Sequence, residues 1–172
     1  TTKNSVAKNK RSGFITWGRL VPYKRVDLII KACNQLQLPL TVAGTGPMLP
    51  ELKKIAGPTI TFTGYATHEQ ILEAAQRAAA FIFAAEEDFG IAPVEAMALG
   101  LPVIAYKSGG ALDYVTEGKT GTFFIDQTVN SLKKVMGSFG LETFNDSAII
   151  KHAEIYSPEN FRTKFVNFLK RL

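Results

Sequence analysis

The feature that most constrains the fold is a repeated alternation of short apolar runs with segments of helical hydrophobic pattern. The apolar runs are mostly continuous, which is typical of parallel strands covered on both faces. Strands that alternate with helices indicate an α/β fold, a doubly wound, Rossmann-like parallel sheet of about six strands. Right-handed crossovers favour the strand order 3-2-1-4-5-6. The runs lie at 13–17, 40–43, 59–63, 79–84, 102–106 and 121–125.

Helical patterns fill the gaps between these runs. The segment 26–36 has one apolar face that includes Cys33, so we expect the Cys33 thiol in the core and not in a reactive site. Ser157 and Pro158 start the last helix as its N-cap and first helical residue. Other helices are expected at 47–55, 67–76, 93–99 and 129–139. The apolar face of the last helix comprises Phe161, Phe165, Phe168, Leu169 and Leu172.

The composition is that of one soluble globular domain. The chain has 172 residues, 46% of them hydrophobic and 20% charged. We expect residues 1–12 to be a disordered or linker segment and residues 13–172 to form the domain. The formal net charge of +5 suits phosphorylated ligands or an anionic membrane surface. No interleaving of basic and aromatic residues indicates a nucleic-acid partner.

The single cysteine and the apolar runs bear on the compartment. Cys33 cannot form an internal disulfide, and no signal-peptide pattern is present, so a reducing, cytoplasmic location is predicted. A peripheral contact with the inner face of the membrane stays open as an alternative. The longest uninterrupted apolar run, 78–85, is too short to cross a bilayer.

Two glycine motifs and both histidines are weak functional candidates. Gly44-Thr45-Gly46 follows a strand but lacks the third glycine of a dinucleotide-binding motif, so a tight turn is favoured. Gly118-Lys119-Thr120 resembles the end of a phosphate loop, but Asp113 stands at the position of its first glycine and a strand follows. His68 and His152 have no metal-ligand partners at suitable spacing, which predicts surface residues and no metal site.

Doubly wound sheets bind ligands at the carboxyl ends of their strands, near the switch point between strands 1 and 4. This rule selects the loop after Trp17 and the loop after Ala84. In the first loop, Gly18 lets the backbone turn sharply, and Arg19 and Lys24 supply charges for phosphate oxygens. The alternative for the first loop is a solvated basic segment ahead of a helix.

The second loop, 86–95, combines acidic residues with a predicted helix start near Pro93. Free amides at residues 90–92 would form an anion site at that helix N-terminus. Glu87 and Glu95 would then accept hydroxyls of a sugar or a ribose. The alternative is ordinary helix-start chemistry, since acidic residues favour first turns.

These motifs, taken in order, resemble the C-terminal, donor-binding domain of the retaining glycosyltransferases of family 4, which have two facing Rossmann-like domains, the GT-B architecture. Glu87 and Glu95 fit the family's pair of glutamates separated by seven residues. The segment 87–103 is close to the family signature, and the resemblance covers essentially residues 13–172. Lesser motifs match at Gly18-Arg19-Leu20 with Lys24, at 42–47, at 62–64 and at Gly109-Gly110.

The resemblance implies roles for the residues of the first loop and of strand 3. Arg19 and Lys24 would bind the donor diphosphate, with the Gly18 backbone beside it. Backbone near Gly64 and Tyr65 would receive the nucleobase. Trp17 departs from the family pattern, which has a small or aliphatic residue at that position.

The resemblance also implies roles for the second loop. Glu95 would hold the ribose hydroxyls, and Glu87 would contact the transferred sugar as the candidate catalytic residue. The remaining donor-binding residues would hold the distal phosphate and the sugar, chiefly through their amides; they are Phe89, Gly90, Ile91 and Ala92.

The implied reaction moves a sugar from a nucleotide diphosphate sugar to an acceptor hydroxyl with retained configuration, in polysaccharide or glycolipid assembly. The segments 19–25 and 86–95 favour a mannosyltransferase that uses GDP-mannose, with no cofactor and no metal. The acceptor, a saccharide or lipid-linked saccharide, would bind an N-terminal domain that this chain lacks, so this fragment alone is expected to be inactive. Two alternatives stay open: half of a nucleotide-sugar 2-epimerase, and a non-catalytic nucleotide-sugar-binding module.

Overall fold

The computed structural model describes residues 11–171, apart from the side chain of Glu142. Within this range the strands form one six-stranded parallel sheet in the order β3-β2-β1-β4-β5-β6, so the predicted fold and strand order are confirmed. Most of the predicted segment 1–12 and Leu172 lie outside the described residues. The strands are β1 (Phe14–Trp17), β2 (Leu40–Ala43), β3 (Ile60–Gly64), β4 (Ala80–Phe83), β5 (Val103–Tyr106) and β6 (Gly121–Phe124).

The helices in residues 11–171 include all six that were predicted. Two further helices, α5 and α7, were not anticipated, because they are short and lie in segments of mixed polarity. Short 3-10 turns occur at Pro22–Lys24, Leu141–Thr143 and Glu154–Tyr156. The helices are α1 (Val26–Leu36), α2 (Leu49–Ile55), α3 (His68–Arg77), α4 (Ile91–Ala98), α5 (Ala111–Tyr114), α6 (Val129–Gly137), α7 (Asp146–Ala153) and α8 (Pro158–Leu169).

The helices cover both faces of the sheet with separate hydrophobic clusters. One cluster lies under α1, α2 and α6, and the other under α3, α4, α5 and α7. Cys33 is fully buried in the first cluster, as predicted, and burial raises the pKa of its thiol to about 12. Continuous apolar strands are therefore explained by cover on both faces.

The sheet opens at its centre. β1 and β2 pair along their whole length, from Phe14 opposite Leu40 to Trp17 opposite Ala43. β1 and β4 pair only through Phe14–Ala80 and Ile15–Phe81. The carboxyl ends of β1 and β4 therefore diverge, which leaves a crevice at the switch point, the position where such sheets bind ligands.

The last helix stands apart from both clusters. The Ser157 side chain caps α8 by accepting from the Asn160 amide, and Pro158 is its first residue, as predicted. No residue of α8 is buried, and Phe161 and Phe168 are 65% and 59% exposed. The described part of its apolar face therefore does not pack into this domain's core. Among residues 11–171, no helix is both long and apolar enough to cross a membrane.

Candidate functional site

The loop after β1 is held in place by backbone contacts with the loop after β2. The Gly18 amide donates to the Ala43 carbonyl at 3.0 Å, and the Leu20 amide donates to the Thr45 carbonyl at 2.8 Å. Gly44 has φ 139°, and a β-carbon there would overlap the Gly18 carbonyl oxygen. The 44–46 glycines therefore form a tight turn that supports the Gly18 loop, as the sequence favoured.

Two open clefts meet at the carboxyl edge of the sheet, and both include Trp17 and Gly18 in their walls. The β1–β3 cleft has a volume of about 440 Å³, and the β1–β4 cleft has a volume of about 770 Å³. The β1–β3 cleft is lined by 17–19, 43–47, Tyr65, Ala66 and Ile71. The β1–β4 cleft is lined by Trp17, Gly18, Tyr23, Lys24, 86–92 and Glu95.

The predicted basic residues differ in their surroundings. The Arg19 side chain is exposed in the wall of the β1–β3 cleft, so its guanidinium is accessible to a ligand. Lys24 instead forms an ion pair with Glu87 across the β1–β4 cleft, and its ammonium lies 5.8 Å from the centre of the Phe83 ring. The two side chains are 21% and 16% exposed.

Sequence reasoning missed this ion pair. It assigned Lys24 to the phosphates and Glu87 to the sugar, whereas in the described structure each neutralises the other. The signal was available, because parallel strands bring the loops after β1 and β4 to the same edge, one with a cation and one with carboxylates.

The helix N-terminus that was expected to bind an anion lies in this loop, but α4 begins two residues earlier than predicted. α4 starts at Ile91, and Pro93 is its third residue. Proline is tolerated there because the first-turn amides lack intrahelical acceptors. Gly90 is the N-cap with φ 82° and has no side chain to cap the helix. Within residues 11–171 no side chain caps this end of α4, and first-turn amides and the helix dipole favour an anion at such an end.

Gly90 is closely packed against two aromatic side chains. A β-carbon at Gly90 would lie 2.8 Å from Cζ of Phe83 and 2.9 Å from the hydroxyl of Tyr114. The hydroxyl of Tyr114 is buried with no hydrogen-bond partner among residues 11–171. Burial, reinforced by the charge of Glu87, raises the pKa of Tyr114. The turn into α4 therefore requires glycine for both its backbone angle and its close packing.

Glu95 lies on α4 and faces the β1–β4 cleft. Its Oε2 accepts a hydrogen bond from Nε1 of Trp17 at 3.2 Å. The Trp17 ring packs edge-on against Phe81, with 4.3 Å between ring centres. The structure thus brings Glu87 and Glu95 into one cleft and adds Trp17, which sequence reasoning had noted only as a departure from the family pattern.

The residues predicted near the nucleobase lie at the end of β3. Tyr65 is 83% exposed and lines the β1–β3 cleft. The Gly64 carbonyl is already used, because it accepts from the Gly44 amide at 2.7 Å. Tyr65 is therefore the more available of the two for a ligand.

The β1–β4 cleft is acidic despite the positive net charge of the chain. Its walls hold Lys24 as the cation, against the carboxylates of Glu86, Glu87, Asp88 and Glu95. Phosphates would therefore depend on Arg19, Lys24 and the α4 amides. Within the described range, no group of three or more His, Cys, Asp or Glu residues is arranged to hold a metal ion.

The other discarded candidates, which are the 118–120 segment and the two histidines, do not line these clefts. The 118–120 segment precedes β6, so it lies at the amino ends of the strands, whereas the clefts lie at their carboxyl ends. The Thr120 side chain is buried. His68 is exposed at the start of α3, as predicted. The prediction for His152 was wrong. It is half-buried, because α7 packs against α4 and brings Nε2 within 2.9 Å of the carbonyl oxygen of Tyr114, the last residue of α5.

The chain is similar in sequence to a known protein family. The model of the family described as "Glycosyl transferases group 1" matches residues 1–152, so the match ends before α8. The GDP-mannose-dependent alpha-(1-6)-phosphatidylinositol monomannoside mannosyltransferase of Mycolicibacterium smegmatis is 33% identical over 139 residues, which is 69% of this chain and 36% of that protein. The chain spans about a third of the length of the curated relatives it matches.

Solved structures share the fold at lower sequence identity. Sucrose-phosphate synthase from Thermosynechococcus elongatus superposes with a TM-score of 0.79 at 20% identity, covering 96% of this chain and 46% of that one. Anabaena Alr3699/HepE in complex with UDP-glucose gives a TM-score of 0.75 at 21% identity, covering 96% and 50%. These likenesses confirm the prediction of a Rossmann-like domain of the GT-B type.

Proposed function

Because the chain belongs to the glycosyl transferases group 1 family, we propose that it is the donor-binding domain of a retaining family 4 glycosyltransferase that moves a sugar from a nucleotide diphosphate sugar to an acceptor hydroxyl. One observation carries the proposal. Two clefts meet at the switch point between β1 and β4, and cationic side chains, a helix N-terminus without a side-chain cap and four carboxylates surround them. That combination suits a ligand with a base, a charged diphosphate and a hydroxylated sugar.

In the proposed arrangement the nucleobase occupies the β1–β3 cleft beside Tyr65. The diphosphate lies at the junction of the clefts, against Arg19, Lys24 and the amides of 90–92. The sugar extends into the β1–β4 cleft toward Glu87, and Glu95 accepts the ribose hydroxyls. Positioning and stabilisation of the departing diphosphate would supply most of the rate.

Mannose is the proposed sugar and GDP-mannose the proposed donor. The support is the 33% identity to a relative whose name specifies GDP-mannose, together with the resemblance of segments 19–25 and 86–95 to those of mannosyltransferases. That relative's name also specifies a phosphatidylinositol monomannoside. We accordingly propose a saccharide or lipid-linked saccharide acceptor, bound by an N-terminal domain, and a peripheral membrane contact of the complete enzyme.

Calorimetry of the 172-residue chain with GDP, UDP, ADP and GDP-mannose tests the donor site. We expect GDP and GDP-mannose to bind more tightly than the others. Arg19→Ala should weaken diphosphate binding by about tenfold or more, since a charge-assisted hydrogen bond contributes about 1.5–3 kcal/mol. Arg162→Ala, which removes an exposed arginine on α8, is the matched control and should change nothing.

The results that would reject the proposal are specific. If no nucleoside diphosphate binds, the chain is not a donor-binding domain. If Arg19→Ala and Arg162→Ala bind equally well, Arg19 is not part of the site. If UDP or ADP binds best, the guanine and mannose assignments fail while the donor-binding role stands.

A further inference from the structure

Trp17 lies where the two clefts of the candidate site meet. It is the only tryptophan in the sequence and the last residue of β1. It lines both the β1–β3 cleft and the β1–β4 cleft. A side chain that forms the wall between two halves of a ligand site can influence what each half accepts.

Two contacts of different kinds hold the indole. Its ring packs edge-on against the buried Phe81, with 4.3 Å between ring centres. Its Nε1 donates to Oε2 of Glu95 at 3.2 Å. Such an aromatic contact adds to the stabilisation from buried area, and the indole N–H is a donor only. The strand therefore presents a fixed donor to a carboxylate on the neighbouring helix.

The contact has a direct consequence for Glu95. A carboxylate on an exposed helix surface samples several rotamers, and ordering it when a ligand binds costs free energy. The Trp17 donor orders it before the ligand arrives. Because a carboxylate has two oxygens and about four lone-pair sites, Oε1 and part of Oε2 stay open to hydroxyl donors. The sugar hydroxyls of the nucleotide thus meet a preset acceptor.

We propose that Trp17 is a positioning residue: through its hydrogen bond to Glu95 it sets the selectivity of the nucleotide site for ligands with free ribose hydroxyls. This inference rests on the proposed donor-binding function. It differs from a stacking role for the indole, because stacking on a base would not depend on the ribose.

A double-mutant cycle tests the proposal. GDP and 2′,3′-dideoxy-GDP are titrated into the wild-type chain, Trp17→Phe, Glu95→Gln and the double variant. Trp17→Phe keeps an aromatic ring against Phe81 and removes the N–H. We expect it to reduce the preference for the ribose form about fivefold, the size of one modest hydrogen bond, and to change dideoxy binding less than about twofold. The double variant should match Glu95→Gln.

Three outcomes would overturn the inference. Equal loss of affinity for both forms would make Trp17 a packing or stacking residue. An unchanged preference would remove the link between Trp17 and the ribose. Full additivity in the double variant would show that the two residues act independently. If the wild-type chain binds neither form, nor UDP and its dideoxy analogue, the proposed function itself is rejected.

A second measurement needs no nucleotide. The sequence has one tryptophan, so a ¹⁵N-labelled chain gives one indole N–H resonance. Glu95→Gln should shift this resonance clearly, because it replaces a charged acceptor. Glu86→Gln, a substitution of an exposed carboxylate in the same cleft, should leave it in place. An indole resonance that Glu95→Gln does not move would disprove the contact, whether or not nucleotide binds.

Discussion

Replacing Glu87 by Gln should strengthen the binding of a nucleoside diphosphate. Glu87 and Lys24 neutralise each other across the β1–β4 cleft. A diphosphate that binds Lys24 must share that ammonium with Glu87 and also lie near the Glu87 charge. Glu87→Gln keeps the shape of the side chain, releases Lys24 and removes the repulsion.

The magnitude follows from the exposure of the pair. Two unit charges about 4 Å apart interact by about 4 kcal/mol at an effective dielectric constant of about 20. The side chains of Lys24 and Glu87 are 21% and 16% exposed, and the open cleft allows solvent to screen them. We therefore expect a net gain of about 1 kcal/mol, between the values for surface and desolvated pairs, which is about fivefold in affinity.

The assay is calorimetry with GDP and UDP. Both lack the sugar that the proposed reaction transfers, so a contact between Glu87 and that sugar cannot contribute. Glu86→Gln is the matched control, because Glu86 is an exposed carboxylate in the same cleft outside the ion pair. The gain of Glu87→Gln over Glu86→Gln should shrink at high salt. Unchanged or weaker binding by Glu87→Gln would refute the competition between Glu87 and phosphate for Lys24.

Three other predictions concern stability and association. Gly90→Ala should lower the free energy of unfolding in urea melts by about 1–3 kcal/mol, because φ is 82° and the added methyl would lie 2.8 Å from Cζ of Phe83. Gly137→Ala is the control: its methyl meets nothing within 4 Å, so it should be neutral or stabilising. Burial raises the pKa of the Cys33 thiol from 9.0 to about 12, so the unfolded chain releases this proton at a lower pH than the folded chain does. The free energy of unfolding should therefore fall above pH 9 by up to about 1.4 kcal/mol per pH unit relative to that of Cys33→Ala. Equal slopes of unfolding free energy against pH for the two chains would contradict this. The exposed aromatic face of α8 should make the isolated chain self-associate in sedimentation experiments, and Phe161→Ser with Phe165→Ser should abolish this; concentration-independent sedimentation of the parent chain would refute it.

The fold was predictable because its signals are local and repeated. Each strand lies within or one residue beyond an apolar run, and the crossover rule then ordered the sheet. The start of α4 was placed two residues late, since Pro93 is a common first helical residue but is here the third. α4 begins at Ile91 because Gly90 is its N-cap. The packing of Gly90 against Phe83 is a tertiary contact that no local sequence pattern reveals.

The site was predictable at the level of loops and not of side-chain partners. Topology brought the loops after β1 and β4 to one edge of the sheet, where Lys24, Glu87 and Glu95 line one cleft and Arg19 lines the adjoining one. Which cation meets which carboxylate depends on distances of a few ångströms between segments about 60 residues apart in the sequence. The hydrogen bond from Trp17 to Glu95 depends on one ring orientation, set by Phe81. Periodicity and motif spacing carry no information at that scale.

The short pairing of β1 with β4 has a practical consequence for ligand discovery. Only two residue pairs join these strands, and the crevice opens beyond them. A compound lying in the crevice would touch both halves of the sheet and act as a clamp that unfolding must release. At a hundredfold excess over its Kd, such a compound stabilises the folded state by about 2.7 kcal/mol. Thermal-shift screening of donor analogues could therefore rank nucleobases and sugars without an acceptor, a partner domain or any turnover.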